Sequence, residues 1–168
     1  MMSDGLDAAE STARLARIVL EGEPLTRLNP LLEADRTQAV ADLQAEASFL
    51  PVRVHRVYPG PYVLHLSVQE GRLVFDIRHL DGQQLHSTVL SLGPFRGLIK
   101  DYQMLVESHM LAVTEGREAR IQAIDMGRRG LHNEGAQLLL RRLAGKITID
   151  FATARRLFTL VCVLHMRG

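Results

Sequence analysis

The stretch YVLHLSVQEGRLVFDIRHLDGQQLHSTVLSLGP, residues 62–94, decides the fold. Tyr62, Leu64, Leu66 and Val68 alternate with Val63, His65 and Ser67, the period of a strand with one face buried. Glu70 and Gly71 make a turn, and Leu73, Phe75 and Ile77 resume the alternation. Asp81-Gly82 is a hairpin signal, because both residues tolerate the positive φ of a tight turn. A third strand, residues 85–92, stops at Gly93-Pro94. The pattern is an antiparallel meander with one apolar face. With two-residue turns in both hairpins, His65 faces Asp76, and Asp76 faces Ser87, in one cross-strand row.

On the N-terminal side, residues 14–20 alternate enough for a further strand, and Pro24 and Asn29-Pro30 break the stretch after it. Residues 32–49 read as a helix, with Ala39, Val40, Leu43 and Ala47 at helical spacing. Residues 1–12 mix Asp, Glu, Ser, Gly and Ala without any period, as a flexible tail does. On the C-terminal side everything reads helical. Pro94 suits a first helical position, and Phe95, Leu98, Ile99, Tyr102, Leu105, Val106 and His109 mark one face of a helix reaching about residue 113. Residues 118–143 form either one helix or two joined near Gly127 and Gly130, with Gly145 as the stop. Asp150 or Thr153 can cap the last helix, residues 154–165, which is apolar nearly all round and therefore central. The expected class is α+β: an antiparallel three- to four-stranded meander packed against about four helices, with residues 13–168 as a single domain.

Composition narrows the function classes. A chain of 168 residues with 46% hydrophobic residues builds a core without staples. Cys162 is the one cysteine, so no intrachain disulfide forms, and its apolar neighbours make it a buried, inert thiol. Lys and Arg total 20 against 19 Asp and Glu, so a net charge of +1 gives no general attraction to phosphate backbones. That argues against nucleic acid as the partner. The N-terminus lacks the basic and apolar regions of a signal peptide. The longest apolar run, residues 157–164, is far short of the roughly 20 residues that cross a bilayer. A cytoplasmic location without a membrane partner is the expectation.

The least ordinary segment is IDMGRRGLHNEG, residues 124–135. On a helix, Asp125, Arg128, Arg129 and His132 share one polar face. Gly127, Gly130 and Gly135 each cost roughly 1 kcal/mol relative to alanine inside a helix, so close approach of a backbone or ligand has to offset them. As a ligand site this segment would be an anion site. The two arginines present forked donors to a phosphate or carboxylate, Asp125 orients one of them, and Asn133 and Glu134 stand next to them. His132 or Glu134 would be the acid–base candidate of an enzyme. The plainer alternative makes these charges ordinary helix neighbours and the glycines a packing surface. The segment is not a phosphate-binding P-loop, since it lacks the Gly-Lys-Ser/Thr ending and comes after no strand.

Other constellations carry less. In the row His65, Asp76, Ser87 the aspartate sits in the middle, whereas hydrolysis needs histidine between nucleophile and carboxylate, so a polar outer sheet face is the better account. The seven histidines have no metal-ligand spacing, and His109 and His165 sit on or beside apolar helix faces. No metal and no cofactor are expected. Arg141 and Arg142 suit a helix C-terminus, but Arg155 and Arg156 stand near a helix start, where they need a partner carboxylate.

The runs at residues 70–78, 123–135 and 150–165 resemble a bacterial group of about this length, catalogued as an uncharacterised protein family (UPF number 262). The resemblance extends from about residue 14 to the C-terminus. It implies a small intracellular bacterial protein and brings no activity, cofactor or catalytic residue. The sequence thus leaves two functions in contention. One is a self-associating binding domain, a homodimer or a partner of another protein. The other is a small enzyme or ligand-binding domain for an anionic metabolite, phosphorylated ones included.

Overall fold

The structure is a computed structural model, and residues 12–22 and 29–165 are described. The expected tail, residues 1–12, lies outside them except for Thr12, and so does Pro24. The elements are β1 (Leu15–Leu20), α1 (Pro30–Glu46), β2 (Phe49–Pro51), β3 (Tyr62–Gln69), β4 (Arg72–Arg78), β5 (Gln84–Ser91), a 3-10 turn (Gly93–Phe95), α2 (Arg96–Glu115), α3 (Glu118–Leu143), β6 (Ile147–Ile149) and α4 (Phe151–His165).

The sheet is four-stranded in the order β1-β3-β4-β5, antiparallel except that β1 runs parallel to β3. A parallel pair needs a long crossover, and α1 lies in it. This makes an α+β protein with a mostly antiparallel sheet, as the sequence implies. The register holds too: His65 pairs with Asp76 and Asp76 with Ser87. The second hairpin reaches it by another route. His79 N donates to Gln83 O at 2.8 Å, so the loop has three residues, Leu80, Asp81 and Gly82, not two. A bulge between Ile77 and Arg78 takes up the difference. The Asp81 carboxylate accepts from Gln83 N at 2.8 Å and holds the longer loop in place.

The helix expected over residues 32–49 starts at Pro30, capped by Asn29, whose side chain accepts from Leu31 N at 2.8 Å. It ends at Glu46. Ala47 is already extended, and Phe49–Pro51 pairs antiparallel with Ile147–Ile149 as a separate two-stranded sheet. Pro51 biases the residue before it toward extended backbone, which the helical spacing upstream does not reveal.

One apolar cluster joins the layers. Tyr62, Leu64, Leu66, Leu73, Phe75 and Ile77 of the sheet are fully buried, as are Leu157, Phe158, Leu160 and the run Val161 to Leu164 of α4. Asp150 caps α4, accepting from Thr153 N at 2.8 Å. The Thr153 hydroxyl in turn accepts from Ser48 N at 3.0 Å. His165 is exposed at the end of α4 and is not a core histidine. No helix among the described residues is long and apolar enough to cross a membrane.

Helix α3 is one continuous rod of 26 residues through Gly127 and Gly130. Its buried side carries Ile124, His132, Gly135, Ala136, Leu139 and Leu143. Its three glycines differ. A Cβ on Gly135 would stand 2.3 Å from the ring of Phe158, one on Gly127 would meet Leu105 at an ordinary 3.5 Å, and one on Gly130 would meet nothing within 4 Å. Close packing therefore explains Gly135 alone. Gly135→Ala should destabilise the protein by about 1–3 kcal/mol through overpacking. Gly130→Ala should stabilise it by up to about 1 kcal/mol through helix propensity. Urea unfolding of the two variants reads both signs.

Candidate functional site

Where α1, α3 and α4 meet, a cleft of about 250 Å³ opens. Helix α1 contributes Asp35, Gln38, Ala39 and Asp42; α3 contributes Arg128, Arg129 and His132; α4 contributes Arg155, Arg156 and Thr159. The α1 residues stand on or beside the buried stripe Leu32, Ala39 and Leu43, so the turn that packs the helix also aims its carboxylates at the arginines.

Asp35 ties three helices. Both of its carboxylate oxygens accept from Arg128 Nη1 at 2.7 Å, and Tyr102 of α2 donates its hydroxyl to the same group. Arg128 also reaches Asp125 at 3.3 Å. Burial opposes the charge on Arg128, but the Asp35 carboxylate and its hydrogen bonds, with Tyr102 and Asp125, outweigh burial and raise its pKa. Burial, then the Asp35 charge and hydrogen bond, push the Tyr102 hydroxyl far up, so it stays a donor. Burial also raises the Cys162 thiol, and Asp35 adds to it, so this thiol is inert.

A second bridge joins α4 to α1. Arg156 meets Glu46 at 2.7 Å and Asp42 at 3.4 Å, the carboxylates its place near a helix start requires. Its neighbour Arg155 is not so provided. Arg155 Nε donates to the Asn133 amide oxygen at 2.8 Å, and among the described residues no carboxylate lies within ion-pair distance of it. Burial first, then repulsion from Arg129, Arg156 and Arg128, lowers its pKa. Arg129 is exposed and has no carboxylate partner among the described residues. The rim is thus a cluster of like charges, half of it uncompensated.

His132 stands behind that rim, 7% exposed, its ring 5.1 Å from that of Tyr102. Its Nε2 is buried and unpartnered, and so is Nε of Arg128. Burial drives the His132 pKa down to about 4, with Arg155 and Arg128 also lowering it and Asp35 opposing them. The imidazole is therefore neutral near pH 7.

The segment singled out in the sequence divides. Arg128, Arg129 and His132 come to the cleft, whereas Asp125 and Asn133 do not line it and are partners of Arg128 and Arg155. Glu134 is exposed and does not line the cleft. The common polar face expected for Asp125, Arg128, Arg129 and His132 is instead half a packing face, because His132 continues the buried stripe of α3. Asp35, Tyr102 and Arg155 were not singled out as site residues. The one sequence signal for such pairing was the cationic Arg155-Arg156 near a helix start, which called for acids elsewhere. On the open sheet face His65 bonds Glu21 and Asp76 bonds Arg78, so these residues form a polar surface and not a triad. Among the described residues no three His, Cys, Asp or Glu side chains gather as metal ligands.

A neutral buried histidine leaves a signature in the pH dependence of stability. Its folded pKa of about 4 lies below the ordinary 6.5, so between these values the unfolded chain binds more protons. Its contribution is complete above pH 6.5 and is lost as pH falls toward 4. His132→Phe, which keeps a ring on Tyr102, should shrink the loss of stability between pH 7.5 and pH 4.5 by roughly 3 kcal/mol. Urea unfolding at the two pH values measures it, and an unchanged loss would refute a neutral His132.

Comparison with known proteins gives the chain relatives along nearly its whole length. A protein of Granulibacter bethesdensis is 65% identical over 162 residues, 94% of this chain and 92% of its own. One of Acidiphilium cryptum is 57% identical over 168 residues, covering 99% of this chain and all of its own, and one of Mesorhizobium japonicum is 51% identical over 159 residues, 95% and 97%. All three carry the name UPF0262 protein. No solved structure is significantly similar. Residues 12–167 match the Uncharacterised protein family (UPF0262), and the chain belongs to that family.

Proposed function

We propose that the chain is a cytoplasmic ligand-binding domain whose cleft between α1, α3 and α4 takes a small anion, a phosphate or carboxylate group of a metabolite. The observation that carries this reading is Arg155, held among three other guanidinium groups with an amide and, among the described residues, no carboxylate for a partner. A bound anion relieves that repulsion and gains charge-assisted hydrogen bonds from Arg155 and Arg129. The buried, unpartnered His132 Nε2 supplies a neutral contact beneath them. Asp35 and Asp125 hold Arg128, so Arg128 shapes the cleft and its field, while Arg129 and Arg155 are the groups free to grip.

Melting temperature in the presence of inorganic phosphate, citrate, nucleotides and sugar phosphates tests this. An anion present well above its Kd should raise the melting temperature. The rise should vanish in Arg155→Gln and in Arg129→Gln, which leave the Asp35–Arg128 pair intact. If no anion of the set raises it in the unsubstituted protein, the reading is wrong.

A second reading, self-association, draws on exposed apolar side chains of α2 and α3. Met104, Leu111 and Val113 of α2 and Met126 of α3 are each more than half exposed, and Met110 nearly so. Large exposed apolar side chains on neighbouring helices favour a protein partner. Sizing chromatography with light scattering at micromolar concentration should give twice the mass of one chain. A mass equal to one chain would exclude it.

A further inference from the structure

The two edges of the main sheet are finished differently. At β1, Ile18 N donates to the Gln44 side chain of α1 at 3.2 Å, so that edge is dressed by its own chain. Beyond β5 the sheet has no further strand among the described residues. Leu92 N bonds Gly71 O at 3.0 Å, and the register continues it through Leu90–Leu73, Thr88–Phe75 and His86–Ile77 as the hydrogen-bonded pairs. The alternate residues Ser87, Val89 and Ser91 therefore turn their N–H and C=O groups outward, where among the described residues no backbone group meets them.

This edge borders a groove. Each residue from His86 to Ser91 lines one of two adjoining cavities, of about 250 and 310 Å³, that share Val89 and Lys146. The opposite wall is cationic: Arg53 and Lys146 on the first cavity, Arg141, Arg142 and Lys146 on the second. Among the described residues no Asp or Glu lines either cavity. Among the described residues none of these four cations has a carboxylate within ion-pair distance, in contrast to Arg128 and Arg156 in the cleft. The position of Lys146 is fixed by its backbone, whose N–H bonds Leu143 O at 2.8 Å and whose carbonyl accepts from Val52 N at 3.0 Å.

We propose that β5 is a docking edge for an extended acidic peptide segment of a partner protein, which adds a fifth strand beside Ser87, Val89 and Ser91 while its carboxylates meet Arg53, Arg141, Arg142 and Lys146. Strand addition takes its affinity from main-chain hydrogen bonds and its selectivity from the side chains along the groove. The outward groups supply the first and the unpaired cations the second. A second copy of β5 would bring the same cations against these, so like-charge repulsion disfavours pairing between copies. The docking edge is independent of the anion cleft, which is built from other residues of α1, α3 and α4.

The probe is a fluorescein-labelled peptide alternating valine and glutamate over eight residues, followed by anisotropy, with a valine–lysine peptide and an oligothymidylate as rivals. The acidic peptide should bind, the lysine peptide at least about tenfold more weakly, and affinity should fall with salt. Val89→Pro removes an N–H that points away from β4, a position where an edge strand tolerates proline. It should leave the melting temperature unchanged and weaken binding by about fivefold or more, the worth of a hydrogen bond. A backbone N-methylated copy of the peptide removes donors from the ligand instead, and should lose affinity whether or not Val89→Pro folds. Arg142→Glu with Lys146→Glu should abolish binding. The proposal is overturned if the acidic peptide does not bind, if its N-methylated copy binds equally well, or if only the oligothymidylate binds.

Discussion

Helix α4 sets the constraint that organises the molecule. Every side chain from Leu157 to Leu164 is buried, so this helix has no face to give to water. It must be enclosed, and α1, α2, α3 and the sheet enclose it. Its first turns emerge, as does His165 at its far end, and in those first turns the sequence changes from Leu157 to Arg156 and Arg155. The most apolar element thus delivers two guanidinium groups to the one place where α1 and α3 come together beside it. Phe158 fixes the approach of α3, since its ring fills the space where a Cβ of Gly135 would stand.

The charges around that point are not equivalent, and the difference is one of distance and burial. Arg128 and Arg156 each have carboxylates at 2.7 Å, and such partly buried pairs offset the loss of hydration that helix packing imposes. Arg155, which both of them repel, has none among the described residues. A group in that position raises the energy of the protein slightly, and the proposed anion would lower it again. Beneath it the neutral His132 continues the core. A rim in which half of the charges are compensated and half are not would let the first half hold the helices together and leave the second half for a ligand.

The sheet repeats the contrast on a larger scale. One edge is closed by a glutamine from α1, and the other keeps its outward hydrogen-bonding groups beside four cations. Cations next to an open edge keep identical chains apart. In the proposed docking the groove would discriminate by charge, while the backbone beside it would not discriminate by sequence.

Much of the fold was legible in the sequence because it rests on local periods. The alternation over residues 62–94 set the meander and its register, even though the second turn is longer than two residues and a bulge restores the pairing. The parallel placement of β1 and the small β2–β6 sheet were not legible, since three-residue strands carry no period and the partners are far apart in the chain. The site was half legible. Arg128, Arg129 and His132 stood out by residue type, but Asp35 lies 93 positions from Arg128 and looks like any acid on a helix surface. By itself the sequence determined which faces are apolar and which helix is innermost, because burial follows from side-chain periodicity within each element. The tertiary structure alone decided which charges meet and which stay unpaired, because that depends on how three helices are rotated and crossed about α4, to within the reach of a hydrogen bond.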